Sequence, residues 1–150
     1  MSMKKLLIYY SLTGNGDLLS EHLSKQGYEV RKVIEKKKMP KSVFWMIMIG
    51  GFRAGFNFKG KLVDYNNDVK EYDEVVIGSP IWNGKTTPAI NSVLKQTDLT
   101  GKKLTFVFYS GSGEGKKAEK KIKKLYPEST IIFLKEPKKY NEQFDKIKSL

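Results

Sequence analysis

Cysteine is missing from all 150 residues. Its absence removes disulfides, thiolate metal sites, cysteine-ligated iron–sulfur clusters and thiol nucleophiles together, so any redox chemistry must use a borrowed cofactor. Histidine is reduced to His22, which falls on the first predicted helix, where a place on the helix flank explains it better than a proton relay. No paired general acid and base stands out, and no catalytic residue or metal ligand is assigned. Long apolar runs are scarce as well. Leu6 to Tyr10 is shorter than the ~7–15 residues of a signal-peptide core, and no small-residue cleavage site follows, so the expectation is a cytoplasmic protein. Val43 to Ile49 falls far short of the ~20 residues that span a bilayer, so no membrane span is expected.

Negative charge is also in short supply: 16 Asp and Glu stand against 28 Lys and Arg, a formal net charge of +12. Such an excess favours acidic partners, nucleic acid or an anionic membrane surface during encounter, and says nothing about fold. Much of it lies in Lys36-Lys37-Lys38 and in GKKAEKKIKKL, Gly115 to Leu125. There Ala118, Ile122 and Leu125 recur at i, i+4 and i+7, which puts the lysines on the solvated face of a helix. That reading outweighs a nucleic-acid patch.

What is present suits one globular domain over residues 1–150, with 39% hydrophobic and 12% aromatic residues to build its core. Continuous apolar runs predict strands at 5–10, 73–78, 103–109 and 130–134, with a weaker one at 28–34. Helical spacing lies between and after them: Leu18, Leu19 and Leu23; Ile90, Val93 and Leu94; Ala118, Ile122 and Leu125; Tyr140, Phe144 and Ile147. With a second helix over residues 40–54, the order is a strict alternation of strand and helix. It predicts an α/β fold, a parallel sheet covered on both faces. The apolar Val43–Ile49 run is then a deeply packed crossover helix bounded by Pro40 and Gly50, in preference to an exposed patch for dimerisation or a hydrophobic substrate.

The first strand leaves through Ser11-Leu12-Thr13-Gly14-Asn15-Gly16. No P-loop pattern is present there, and SGSGEGKK at 110–117 lacks both its first glycine and its final Ser or Thr. A dinucleotide fingerprint is only partly met: Gly14 and Gly16 follow a strand and Glu35 ends the next, but Leu19 stands at the third glycine. The loop does suit a phosphate monoester. Amides at a helix N-terminus are unpaired and the dipole favours negative charge, Ser11, Thr13 and Asn15 add side-chain donors, and Gly14 lets the backbone approach. An ordinary turn with a Ser, Thr or Asn N-cap is the alternative. The third and fourth strands exit through GSPIWNGKTTPAI (78–90) and SGSGEG (110–115), at the same carboxyl edge where such sheets bind ligands. Trp82 has no evident core role there, and its face is available to a flat ring.

These segments resemble the flavodoxin family. YYSLTGNGDLLSEHL is similar to its phosphate loop, VVIGSPIWNGKTTPAINSVL to its third strand and first flavin loop, and GKKLTFVFYSGSGEG to its fourth strand and second flavin loop. The resemblance implies a flavodoxin-like three-layer sandwich with a five-stranded parallel sheet in the order 2-1-3-4-5. It implies FMN as cofactor, with Ser11, Leu12, Thr13, Gly14, Asn15 and Gly16 on the phosphate. Pro80, Ile81, Trp82, Asn83 and Gly84, with Ser110, Gly111, Ser112 and Gly113, would line the flavin ring. Asn83-Gly84 would be the peptide that rotates toward the flavin, since glycine permits such a change at little cost. Glu114 reads best as a solvated carboxylate.

Three departures from the family pattern stand out. Gly16 replaces a preferred Thr, the second flavin loop lacks the aromatic that often covers the outer ring face, and the chain is basic where electron-carrying flavodoxins are typically acidic. The leading expectation is an electron-transfer protein that serves an acidic redox partner protein. The alternatives are an FMN-dependent NAD(P)H:quinone-type oxidoreductase and, third, a flavin-free flavodoxin-like module that uses its basic surface on nucleic acid.

Overall fold

The computed structural model describes residues 3–35 and 62–150. Along the chain run β1 (Lys5–Tyr9), α1 (Asn15–Lys25), β2 (Glu29–Lys32), β3 (Glu74–Trp82), β4 (Lys85–Thr86), α2 (Pro88–Gln96), β5 (Lys103–Ser110), α3 (Lys116–Leu125), β6 (Thr130–Lys135) and a 3-10 helix, Asn141–Ile147. Five strands form a parallel sheet in the order β2-β1-β3-β5-β6, and β4 pairs antiparallel with the end of β3. Apart from that two-residue extra strand, the order is the expected one.

Side-chain alternation explains the three layers. Successive residues of a strand point to opposite faces, and each central strand is apolar on both. Leu6, Ile8, Val75, Ile77, Phe106 and Phe108 turn to one side, where they meet Ala89, Ile90 and Val93 of α2 and Ala118 and Ile122 of α3. Leu7, Tyr9, Val76, Val107 and Tyr109 turn to the other, against Leu19 and Leu23 of α1 and Phe144 and Ile147 of the 3-10 helix. β2 is an edge strand, exposed at Glu29, Val30 and Lys32, and its charged residues discourage pairing with another chain.

The amino edge of the sheet is fastened by Glu74, which is 1% exposed. The Tyr28 hydroxyl donates to it at 3.0 Å, and the Lys5 and Lys103 ammonium groups lie 3.9 and 3.6 Å away. A buried carboxylate is tolerated only when so surrounded.

Two expectations are revised. β3 continues four residues beyond 78 to Trp82, because Ser79 to Trp82 keep pairing or packing until the chain turns at Asn83 (φ 52°) and Gly84 (φ 76°). The C-terminal helix is 3-10 rather than α: Phe144 and Ile147, three residues apart, are both buried, and three residues is the 3-10 repeat. The helix expected over residues 40–54, with its Val43–Ile49 run, lies outside the described residues.

Candidate functional site

Three strand ends, β1, β3 and β5, release their loops at the carboxyl edge of the sheet. A cavity of ≈ 370 Å³ opens there, walled by Thr13, Asn15, Pro80, Ile81, Trp82, Ser110 and Gly111, with Tyr109, Glu136, Lys138 and Lys139. Its size falls within the ~300–1,000 Å³ usual for small-molecule sites. The first seven were expected at the site. The last four were not.

The first loop is built around Ser11. Its Oγ accepts from the amides of Gly14 and Gly16, both at 3.1 Å, and those two bonds leave its own proton for another acceptor. Gly14, not a Ser, Thr or Asn side chain, is the N-cap of α1, at φ 96° and with no side-chain cap bond. Asn15 is turned to another use: its Oδ1 accepts from the amide of Lys138 at 3.1 Å. Among the described residues nothing accepts from the amides of Leu12, Thr13 and Asn15. The Asn15 amide is a free donor of the helix N-terminus, and those of Leu12 and Thr13 belong to the loop just before its cap.

Beneath the loop the glycine at 16 is a steric necessity. A Cβ there would lie 2.5 Å from the Tyr109 Oη, 2.7 Å from the Ser11 Cβ and 2.8 Å from the Tyr9 Cδ2. The tyrosines are themselves tied: Tyr109 donates to the carbonyl of Tyr10, and Tyr9 donates to Asp17 Oδ1 at 2.8 Å. Burial, aided by the bond to Asp17, pushes the Tyr9 phenol up to about 12, and burial raises Tyr109 well above an ordinary phenol. Both remain neutral donors near neutrality. Asp17 is held below the usual carboxylate range, chiefly by Lys32 at 2.9 Å.

The loop after β5 repeats the Ser11 device. Ser110 Oγ accepts from the amides of Gly113 at 2.9 Å and Glu114 at 3.1 Å. Ser112 and Gly113 are not part of the cavity wall, and Glu114 is exposed.

Trp82 is not the free loop residue expected. It closes β3, is 4% exposed, and packs edge-on against Tyr10 with centroids 6.0 Å apart at 75°. One part of it still walls the cavity. Asn83 and Gly84 form the two-residue turn of the β3–β4 hairpin, where Ile81 pairs with Thr86 and Trp82 with Lys85. Both have positive φ, the type I′ geometry that an Asn-Gly pair between apolar strands signals in sequence. The Gly84 carbonyl accepts from the amide of Ala118 at 2.8 Å and so caps α3. The hairpin tip therefore faces the helix and does not reach the cavity wall. Leu12 is likewise outside that wall and 49% exposed. His22 lies away from the cavity, stacked on Phe144 at 4.2 Å.

Among the described residues no cluster of His, Asp or Glu has the arrangement to hold a metal, and no helix is long and apolar enough to cross a membrane.

The family described as Flavodoxin matches residues 57–148. No curated protein matches the sequence. Among solved structures, a candidate flavoprotein from Bacteroides uniformis is similar with a TM-score of 0.74 at 22% identity, over 87% of this chain and 88% of that one. A candidate flavoprotein from Bacteroides eggerthii has a TM-score of 0.75 at 20% identity, over 97% of this chain and 98% of the other. A flavoprotein in complex with FMN from Lactobacillus acidophilus has a TM-score of 0.61 at 18% identity, over 87% and 91% of the two chains.

Proposed function

Because the chain belongs to the flavodoxin family, we propose that it binds FMN in the carboxyl-edge cavity and serves as an electron carrier. The observation that supports this most is the meeting of the β1 exit loop, the end of β3 and the β5 exit at one cavity, with the free amides of Thr13 and Asn15 in its wall.

The residues present fit the cofactor. Amides of Leu12, Thr13 and Asn15, the Thr13 hydroxyl and the spare proton of Ser11 make an all-donor set, which suits a phosphate monoester and no cation. Pro80, Ile81 and the buried Trp82 offer an apolar wall to a flat ring, while Ser110 and Gly111 face it. Bound FMN supplies one- and two-electron chemistry. The protein contributes binding, orientation and electrostatics.

Ser11 and Ser110 hold their loops rigid through paired amide bonds, so both enter binding already ordered. Less conformational freedom is lost in such a case. The partner side of the proposal follows from charge. Lys138 and Lys139 wall the cavity, and the whole chain carries a formal net charge of +12. A carrier with this rim suits an acidic redox partner protein.

The test is a visible absorption spectrum of the purified chain with added FMN, then reduction and exposure to ferricyanide, with a parallel assay for NAD(P)H consumption in the presence of a quinone. A carrier takes up FMN and passes its electrons to ferricyanide without consuming NAD(P)H. Sustained, quinone-dependent NAD(P)H oxidation would instead make the chain an oxidoreductase, and no FMN uptake would refute the cofactor.

A further inference from the structure

The turn after β6 brings a cation to the first loop. Glu136 opens that turn at φ 37°, a left-handed conformation that a non-glycine residue keeps only where its surroundings hold it. They do so here. The Glu136 amide donates to the Ser110 carbonyl at 2.9 Å, its own carbonyl accepts from the amides of Lys139 at 2.8 Å and Tyr140 at 2.9 Å, and Pro137 is buried. The turn thus has a fixed shape and a fixed direction.

That direction puts Lys138 over the phosphate loop at two points. Its amide donates to Asn15 Oδ1 at 3.1 Å, and its ammonium donates to the Thr13 carbonyl at 3.3 Å. The same Nζ would lie 3.9 Å from a Cβ placed on Gly14. The charge therefore stands beside the free amides of Thr13 and Asn15. An ammonium carries three protons, and one is given to Thr13. Among the described residues Lys138 makes no ion pair. Asp17, the acidic residue in the first turn of α1, is already engaged by Lys32 at 2.9 Å and Tyr9 at 2.8 Å. Glu136 lines the same cavity without pairing to Lys138.

We propose that Lys138 is a direct ligand of the FMN phosphate, a charged donor added from the far end of the chain to a loop that otherwise offers neutral ones. It compensates for the hydroxyl that Gly16 cannot supply. A phosphate monoester carries close to two negative charges at neutral pH, and a charge-assisted bond to it is stronger than a neutral one. Lys138 then adds to the preference that the loop gives FMN over riboflavin, which lacks the phosphate. This role holds only if the loop binds FMN as proposed above.

Fluorescence titrations of FMN and of riboflavin with the wild type, Lys138→Gln and Lys138→Arg, each at low and high salt, test it. Lys138 is exposed, so solvent and salt weaken its effect: Lys138→Gln should raise the Kd for FMN about twofold to fivefold. Riboflavin should bind the wild type and Lys138→Gln equally, Lys138→Arg should hold FMN nearly as the wild type does, and the FMN difference should narrow as salt rises. A merely structural tether between the two loops would weaken both flavins alike in Lys138→Gln. That result, or FMN binding unchanged in Lys138→Gln, overturns the lysine's role and leaves the cofactor standing. A wild type that binds neither flavin refutes the cofactor and this role together.

Discussion

Gly16→Ala separates the tertiary account of the phosphate loop from a purely local one. Helix propensity alone favours the substitution, since Ala in place of a helical Gly stabilises by up to about 1 kcal/mol. Packing predicts the reverse. The added methyl would lie 2.5, 2.7 and 2.8 Å from Tyr109 Oη, Ser11 Cβ and Tyr9 Cδ2. None of these atoms is a loose end: the two hydroxyls are committed to Tyr10 and Asp17, and Ser11 holds two loop amides. Overpacking of this kind costs ~1–3 kcal/mol, and loosening a Ser11 bond adds ~0.5–1.5 kcal/mol, so a net loss of roughly 2 kcal/mol remains after the helical gain. With a urea m-value of ~1–3 kcal/mol/M, the unfolding midpoint should fall by roughly 1 M, followed by far-UV circular dichroism. Tyr109→Phe removes the nearest clashing atom. In that background Gly16→Ala should cost about 1 kcal/mol less, the coupling expected of residues in contact. A variant as stable as the wild type, or equal losses in both backgrounds, would refute the reasoning.

Three further outcomes follow from the same structure. Gly84→Ala should destabilise by about 1–2 kcal/mol in urea, because φ 76° is a left-handed position that penalises a Cβ; an unchanged midpoint would mean that the hairpin turn adopts another form. Trp82→Ala should cost about 3–5 kcal/mol, the range for an aromatic removed from a core, whereas a loss below about 1 kcal/mol would make Trp82 a surface lid. Lys121 donates to Asn91 Oδ1 at 2.7 Å and Thr86 Oγ1 at 3.3 Å, and burial lowers its pKa below 10.5. The unfolded chain therefore binds this proton more tightly than the folded one, so stability from Lys121 grows as pH rises toward 10.5. Relative to Lys121→Met, the wild type should gain stability between neutral pH and 10.5, and a constant difference across that range would contradict the assignment.

The sheet was legible because its central strands are apolar on both faces. Leu6 to Tyr9, Val75 to Ile77 and Phe106 to Tyr109 leave no polar face, which only a sheet covered on both sides accommodates. The same continuity hid where β3 ends. Trp82 looked like a loop residue because Ser79 and Pro80 interrupt the apolar run, yet Asn83-Gly84 signalled a hairpin and hence a strand up to its edge. Thr13, Asn15, Pro80 to Trp82, Ser110 and Gly111 were placed at the site by their position after strands. Lys138 could not be found that way. Its partners Thr13 and Asn15 are more than 120 residues away, and its direction depends on a left-handed Glu136 that no propensity announces. Gly16 likewise looked like a lost hydroxyl, and only the packing of Tyr9 and Tyr109 shows that no side chain fits.

FMN bound at the carboxyl-edge cavity is tested most directly by amide NMR spectra of the chain during addition of FMN. The account predicts saturation at one FMN per chain, with the largest changes at the free amides of Leu12, Thr13 and Asn15 and further shifts at Ile81, Trp82, Ser110 and Gly111. Downfield movement of the three loop amide protons is expected, since each gains a charged acceptor. A spectrum unmoved by FMN, or saturable shifts confined to residues away from these three loops, would contradict it.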